Sequence, residues 1–170
     1  MKTVFLSLGS NLGDREQHLE TALAELEVAS VHIARRSSIY ETEPQEFRAQ
    51  PWFLNMVIEV ETKLFPMQLL GRILKIEKEI GRKRVQPKGP RVIDIDILLF
   101  GDFVVATPEL TIPHPAMAQR RFVLEPLAEL APDFRHPVNR RTVRELMTDL
   151  GPQTVRKWTK KEPDAGRASG

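Results

Sequence analysis

Asp94 and Asp96 stand two residues apart in the run GPRVIDIDILLF (89–100). Two carboxylates at that spacing, in so apolar a segment, demand a chemical reason. Val92, Ile93, Ile95 and Ile97 are β-branched and favour an extended chain. Along a strand side chains alternate, so both aspartates project from one face and the three isoleucines from the other. On a helix an i, i+2 pair would share no face. Same-face neighbours on a strand lie about 7 Å apart at the backbone, and carboxylates so placed repel one another and resist desolvation unless a cation sits between them. Two kinds of cation suit. Mg²⁺ takes one or two carboxylates and completes its shell with phosphate and water, and a carboxylate pair can bridge two metals about 3.5–4 Å apart. Alternatively, each aspartate pairs with an arginine at a sheet edge, and Arg91 is one candidate.

Other groups nearby in sequence favour anions and flat rings. Arg82, Lys83, Arg84, Lys88 and Arg91 crowd the segment before the aspartates. Guanidinium forks match phosphate oxygens, although a solvated basic loop would have the same composition. His114 lies between Pro113 and Pro115, where it serves either as a phosphate contact or as a packed turn residue. Phe53 and Asn55 share a strand face, and Phe122 follows Gln119-Arg120-Arg121. Two rings with an amide nearby can sandwich a heterocycle and read its edge, in competition with simple core packing. The Walker pattern is missing, since GSNLGD lacks the lysine. His18, His32 and His136 have no supporting context and read as structural.

The elements that must position these groups can be read from periodicity. KTVFLSL (2–8) reads as a buried strand, and Asp14 caps a helix in which Leu19, Ala22, Leu23 and Leu26 form one apolar face. A strand is expected at 33–42, a polar loop at 43–51, and a strand at 52–62 with Leu54, Met56, Ile58 and Val60 facing one way and Phe53, Asn55, Val57 and Glu59 the other. A helix begins near Pro66 and ends at Gly81, with Leu69, Leu70, Ile73, Leu74 and Ile80 supplying most of its buried face. The order β-α-β-β-α-β predicts an α+β fold, a ferredoxin-like sandwich, extended by a C-terminal hairpin and short helices at 122–130 and 142–150. Thr142 and Glu145 have the spacing of a capping box. One domain is expected over 1–161 and a disordered polar tail over 162–170.

Composition narrows the classes. The 170 residues are 41% hydrophobic, enough for a core, and contain no cysteine, which excludes disulfides and thiolate metal sites. No run approaches the length of a membrane span, no signal-peptide cleavage pattern is visible at the start, and a cytoplasmic location is the default expectation. The net charge of +2 hides an uneven distribution, with basic residues gathered at 82–91, 120–121, 140–144 and 156–161. That pattern suggests local anion sites. A rival reading is an RNA-binding module, since ferredoxin-like sheets bind single strands through exposed aromatics. Its ribonucleoprotein signature is missing, and paired aspartates would repel a phosphate backbone.

Four separated stretches, GSNLGDR, YETEPQ…QPWFLN, GPRVIDIDILLFGD and LTIPHPAMAQRRFVLEPL, resemble the 6-hydroxymethyl-7,8-dihydropterin pyrophosphokinase family of the folate pathway, in order and over about residues 3–160. The resemblance implies an ATP-dependent pyrophosphokinase that moves diphosphate to a pterin hydroxymethyl group and releases AMP. It makes Asp94 and Asp96 the ligands of two Mg²⁺ ions. Thr42, Pro44, Phe53, Asn55 and Phe122 match the pterin pocket; Glu77, Arg82, Arg84, Arg91, His114 and Arg120 match ATP-side positions; Thr111 and the Ile97 backbone match the adenine site. Arg82 and Arg91 match catalytic residues that close over the phosphates. Glu43, Gln45, Lys88 and Pro115 depart from one common form of the pattern. Expected partners are ATP and 6-hydroxymethyl-7,8-dihydropterin, with neither nucleic acid nor membrane, and a monomer is expected.

Overall fold

A computed structural model describes residues 1–43, 49–81 and 92–159. The chain opens with strand β1 (Lys2–Ser10) and helix α1 (Arg15–Val28), whose first turn is capped by Asp14 accepting from the Gln17 amide. Strands β2 (His32–Arg36), β3 (Tyr40–Thr42) and β4 (Phe53–Thr62) follow, then helix α2 (Pro66–Ile80) and strand β5 (Asp94–Phe100). A hairpin of β6 (Val105–Ala106) and β7 (Thr111–Ile112), a 3₁₀ turn at Met117–Gln119, helices α3 (Arg121–Leu130) and α4 (Val143–Asp149), and strand β8 (Val155–Lys157) complete the described chain.

The sheet runs β5-β1-β4-β3-β8, with β2 also paired to β4, and every neighbouring pair is antiparallel. This is the α+β, ferredoxin-like arrangement: each helix crossover joins strands separated by one intervening strand. The expected single strand at 33–42 is two short ones, interrupted at 37–39. There the Ser37 amide still bonds the Val57 carbonyl, and the Ser37 hydroxyl accepts from the Val57 amide at 3.0 Å. β8, which lengthens the β3 edge, was not foreseen.

Alternation along the strands makes two cores. Leu6 and Leu8 of β1, Leu54, Met56, Ile58 and Val60 of β4, and Ile95 and Ile97 of β5 pack under α1 and α2. On the opposite face Phe5, Val57, Leu98 and Leu99 pack under α3 and α4. A register shift between Phe5 and Leu6 lets Leu98 and Leu99 both serve this second core. One helix assignment needs correcting. Leu74 is 53% exposed, whereas Ile76 is 4% exposed and shares the buried stripe of α2 with Leu69 and Ile73. At about 100° per residue Leu74 lies roughly 140° round from Leu69, while Ile76 lies within about 20° of it. α4 begins with both halves of the Thr142–Glu145 capping box.

The second core stops short of one end of the sheet. Where β1 and β3 finish and β4 and β5 begin, the α3 face of the sheet carries polar groups. An RNA-binding sheet needs an open, aromatic-bearing face. Here α3 and α4 cover part of that face and two aspartates stand at the remaining end, so the fold does not support the RNA-module reading. The expected 162–170 tail lies outside the described residues.

Candidate active site

Strand register assembles the site. Asp94 of β5 pairs with Gly9 of β1, Gly9 with Asn55 of β4, and Asn55 with Tyr40 of β3. One level deeper, Asp96 pairs with Ser7 and Ser7 with Val57. Paired residues point to the same face, so the two half-buried aspartates, Asn55, Phe53 and Thr42 share one surface. Asp94 and Asn55 are two strand spacings apart, about 9–10 Å at the backbone.

At the Asn55 end the groups are buried and polar. Asn55 is 4% and Thr42 2% exposed. The Asn55 Nδ2 donates to Thr42 Oγ1 at 2.6 Å. That bond fixes the amide's orientation and leaves its carbonyl oxygen to accept and the threonine hydroxyl hydrogen to donate. Gly9 makes the arrangement possible. A Cβ at Gly9 would lie 2.6 Å from Asn55 Oδ1 and 3.6 Å from Phe53 Cδ1. Glycine is thus required here by the close approach of the amide across β1. Neither Gly9 nor the next two residues figured among the expected site residues. Asn11, 1% exposed, donates to Gln50 Oε1 (2.7 Å) and to the Pro51 carbonyl (3.0 Å), fastening the segment just before Phe53. The signal was available, in a polar GSN ending an apolar strand.

At the Asp94 end lies the outer edge of the sheet. Glu77 of α2 takes the Ile95 amide on its Oε2 at 2.7 Å, and the His114 amide donates to the Leu98 carbonyl at 3.0 Å. The backbone of Ile97 lies between these two bonds, and β7, which carries Thr111, packs against β5. The His114 Nδ1 accepts from the Ala116 amide at 3.1 Å. Burial, reinforced by the nearby Arg120 charge, lowers the His114 pKa. Both effects favour a neutral ring, and because Nδ1 accepts, the hydrogen sits on Nε2, which makes His114 a neutral donor. The Arg120 guanidinium sits 5.5 Å from the Phe122 ring centre. Phe122 is half-buried in the first turn of α3, against the second core, and α3 packs on β4.

The described residues contain no group of three or more histidines and carboxylates fit to hold a metal by themselves. The same-face aspartate pair, flanked in register by Gly9 and Ser7, instead suits a hard cation that takes most of its ligands from phosphate and water. Pro44, Arg82, Arg84 and Arg91, and with them Gln45 and Lys88, lie outside the described residues.

A model of the family "7,8-dihydro-6-hydroxymethylpterin-pyrophosphokinase (HPPK)" matches residues 5–132. The chain belongs to this family. Among HPPK relatives it is 44% identical over 146 residues to the 2-amino-4-hydroxy-6-hydroxymethyldihydropteridine pyrophosphokinase of Aquifex aeolicus, covering 86% of this chain and 91% of that one. It is 41% identical over 159 residues to the folic acid synthesis protein fol1 of Schizosaccharomyces pombe, covering 93% of this chain but only 22% of the fission-yeast protein. The chain therefore spans about a fifth of the length of that relative. In fold it resembles the solved Plasmodium falciparum HPPK-DHPS, with a TM-score of 0.67 at 20% identity, over 87% of this chain and 43% of the other. The HPPK match takes in all the described expected site residues: Thr42, Phe53, Asn55, Glu77, Asp94, Asp96, Ile97, Thr111, His114, Arg120 and Phe122. No helix among the described residues is long and apolar enough to cross a membrane.

Proposed function

We propose that this protein transfers the diphosphoryl group of ATP to the hydroxymethyl oxygen of 6-hydroxymethyl-7,8-dihydropterin, as an ATP-dependent pyrophosphokinase of folate biosynthesis. One observation carries the reading beyond family membership: the single row in which Asp94, Gly9 and Asn55 are successive partners. It supports cation-type ligands at one end and a heterocycle-reading amide at the other, and Gly9 between them adds no side chain of its own, so the Asn55 amide can lean over it. A bicyclic ring held at Asn55 and Thr42 would direct its hydroxymethyl arm toward the aspartates.

Phe53 and Phe122 stack on the pterin faces, and Thr42, Pro44 and Asn55 hold its edge. The adenine is held by the Ile97 backbone and Thr111, with Glu77 bracing the strand that offers it. His114 donates from Nε2 to a phosphate oxygen as a neutral group, and Arg84 and Arg120 add charge to the same cradle. Asp94 and Asp96 would hold two Mg²⁺ ions, which when bound supply Lewis-acid polarisation of the phosphates. The hydroxymethyl oxygen attacks the β-phosphorus, the bond from that phosphorus to the α,β-bridging oxygen breaks, and AMP leaves with the electron pair. Asp96 takes the hydroxyl proton. Arg82 and Arg91 neutralise charge that develops on the transferred group and on AMP.

The nucleotide product tests this. Chromatography after incubation with ATP, Mg²⁺ and the pterin should show AMP and pterin diphosphate in equal amounts, and almost no AMP when the pterin is left out. ADP as the main product, or equal AMP without pterin, would overturn the reading.

A further inference from the structure

Thr42 belongs to a strand of only three residues, and a strand that short is weakly held by its own ladder. Side chains alternate, so a slip of one residue against β4 would turn Thr42 to the α1 face and bring Glu41 beside Asn55. Glu41, on the opposite face from Thr42, is gripped from two sides. Its Oε2 accepts from Arg15 Nη1 at 3.0 Å, and the same Nη1 donates to the Trp52 carbonyl at 2.9 Å. Its Oε1 accepts from Arg156 Nη2 at 3.0 Å, while the Arg156 guanidinium lies 4.8 Å from the centre of the Trp52 ring. Arg156 is also the in-register partner of Glu41 across β3 and β8. The two gripped residues, Glu41 and Trp52, each immediately precede a residue of the pocket, Thr42 and Phe53.

We propose that Arg15 and Arg156, acting through Glu41, are positioning residues that lock the register of Thr42 and Phe53 and so set pterin affinity. Arg15 does most of this. The side chains of Arg15 and Glu41 are 26% and 17% exposed, whereas that of Arg156 is 65% exposed and its pair is weakened by solvent. Among the described residues neither arginine contacts an ATP-side position, so the effect is expected to fall on one substrate.

This inference rests on the proposed pterin transfer, and the experiment separates the two. Steady-state kinetics at saturating ATP would compare the wild type with Arg15→Ala, Arg15→Lys, Arg156→Ala, Thr42→Val and the double variant Arg15→Ala/Thr42→Val. Arg15→Ala should raise the pterin KM on the order of tenfold, since small misplacements of binding groups are costly, with kcat and ATP affinity little changed. Arg15→Lys keeps a donor that can serve both oxygens and should restore most of the loss. Arg156→Ala should move the pterin KM the same way by less, and gives a second reading should Arg15→Ala not fold. Because Arg15 acts in part through Thr42, the two effects should combine less than additively in the double variant. An unshifted pterin KM in Arg15→Ala, or in a folded Arg156→Ala should Arg15→Ala not fold, would overturn this inference alone, as would fully additive effects. Absence of pterin turnover in the wild type would overturn the parent reading and this one with it.

Discussion

Gly9 shows how much of the site depends on an atom that is missing. A Cβ there would force its neighbours to shift, because Asn55 Oδ1 would lie only 2.6 Å away near the end of a paired strand. Gly9→Ala should therefore push the Asn55 amide off Thr42 and destabilise the fold by about 1–3 kcal/mol, the usual cost of forcing an added carbon into packed surroundings. The pterin KM should rise with it. Urea denaturation and kinetics on the same preparation check both, and unchanged values would mean that the amide is free to move aside. At this scale the sequence was legible where chemistry and spacing coincide. Asp94 and Asp96 declare a shared face through alternation alone. Thr42 does not, because its partnership with Asn55 depends on which strands pair and in what register, and only the resemblance supplied it. Gly9, Asn11 and Arg15 were passed over for the same reason, since each matters through a contact with a residue 26 to 46 positions away.

At the scale of elements, helix α2 tests how strictly packing follows geometry. The sequence reading puts Leu74 on the buried face and omits Ile76, yet Leu74 faces water and Ile76 does not. Ile76→Ala should cost about 2–5 kcal/mol, as a large side chain removed from a packed core. Leu74→Ala should stay within about 0.5 kcal/mol, as at an ordinary surface position. Chemical denaturation distinguishes them, and equal costs would contradict the assigned face. Element order was readable because helical and strand periods differ. The break of the 33–42 strand and the addition of β8 were not, since both depend on what β4 and β3 offer as neighbours. Pro44, Arg82, Arg84 and Arg91 lie outside the described residues, and their roles rest on the resemblance.

For the whole molecule, several titrating groups act together on stability. Hydrogen bonding to Arg36 holds the Glu20 carboxyl below its ordinary value, and the Thr142 amide does the same for Glu145. Burial pushes Glu41 up, but its bonds to Arg15 and Arg156 outweigh that and leave it lowered. Each contributes stability above the unfolded value of 4.5 that is lost as pH falls through the folded one. His114 and His136 are lowered mainly by burial, so the fold resists their protonation and stability declines below 6.5. Burial and the bond to Glu129 raise Tyr40, which makes the unfolded chain ionise first and costs stability above 10. Urea midpoints should form a plateau from about pH 7 to about pH 9.5 and fall on both sides. Tyr40→Phe should flatten the alkaline limb, and an unaltered limb would remove Tyr40 as its cause.

The outer edge of β5 carries one more consequence. An edge strand exposes a row of backbone donors and acceptors that a strand from another molecule can copy, the usual start of edge-to-edge aggregation. Here the Ile95 amide is already taken by Glu77 and the Leu98 carbonyl by His114, with Ile97 lying between them. Two carboxylates also stand along the strand, one on each side of Ile95. An invading strand would have to displace a side chain and a turn and approach fixed negative charge, all for a ladder of about one residue. The proposed adenine contact needs only that one residue. The edge proposed to hold a purine ring is, on the same geometry, a poor template for amyloid-like growth.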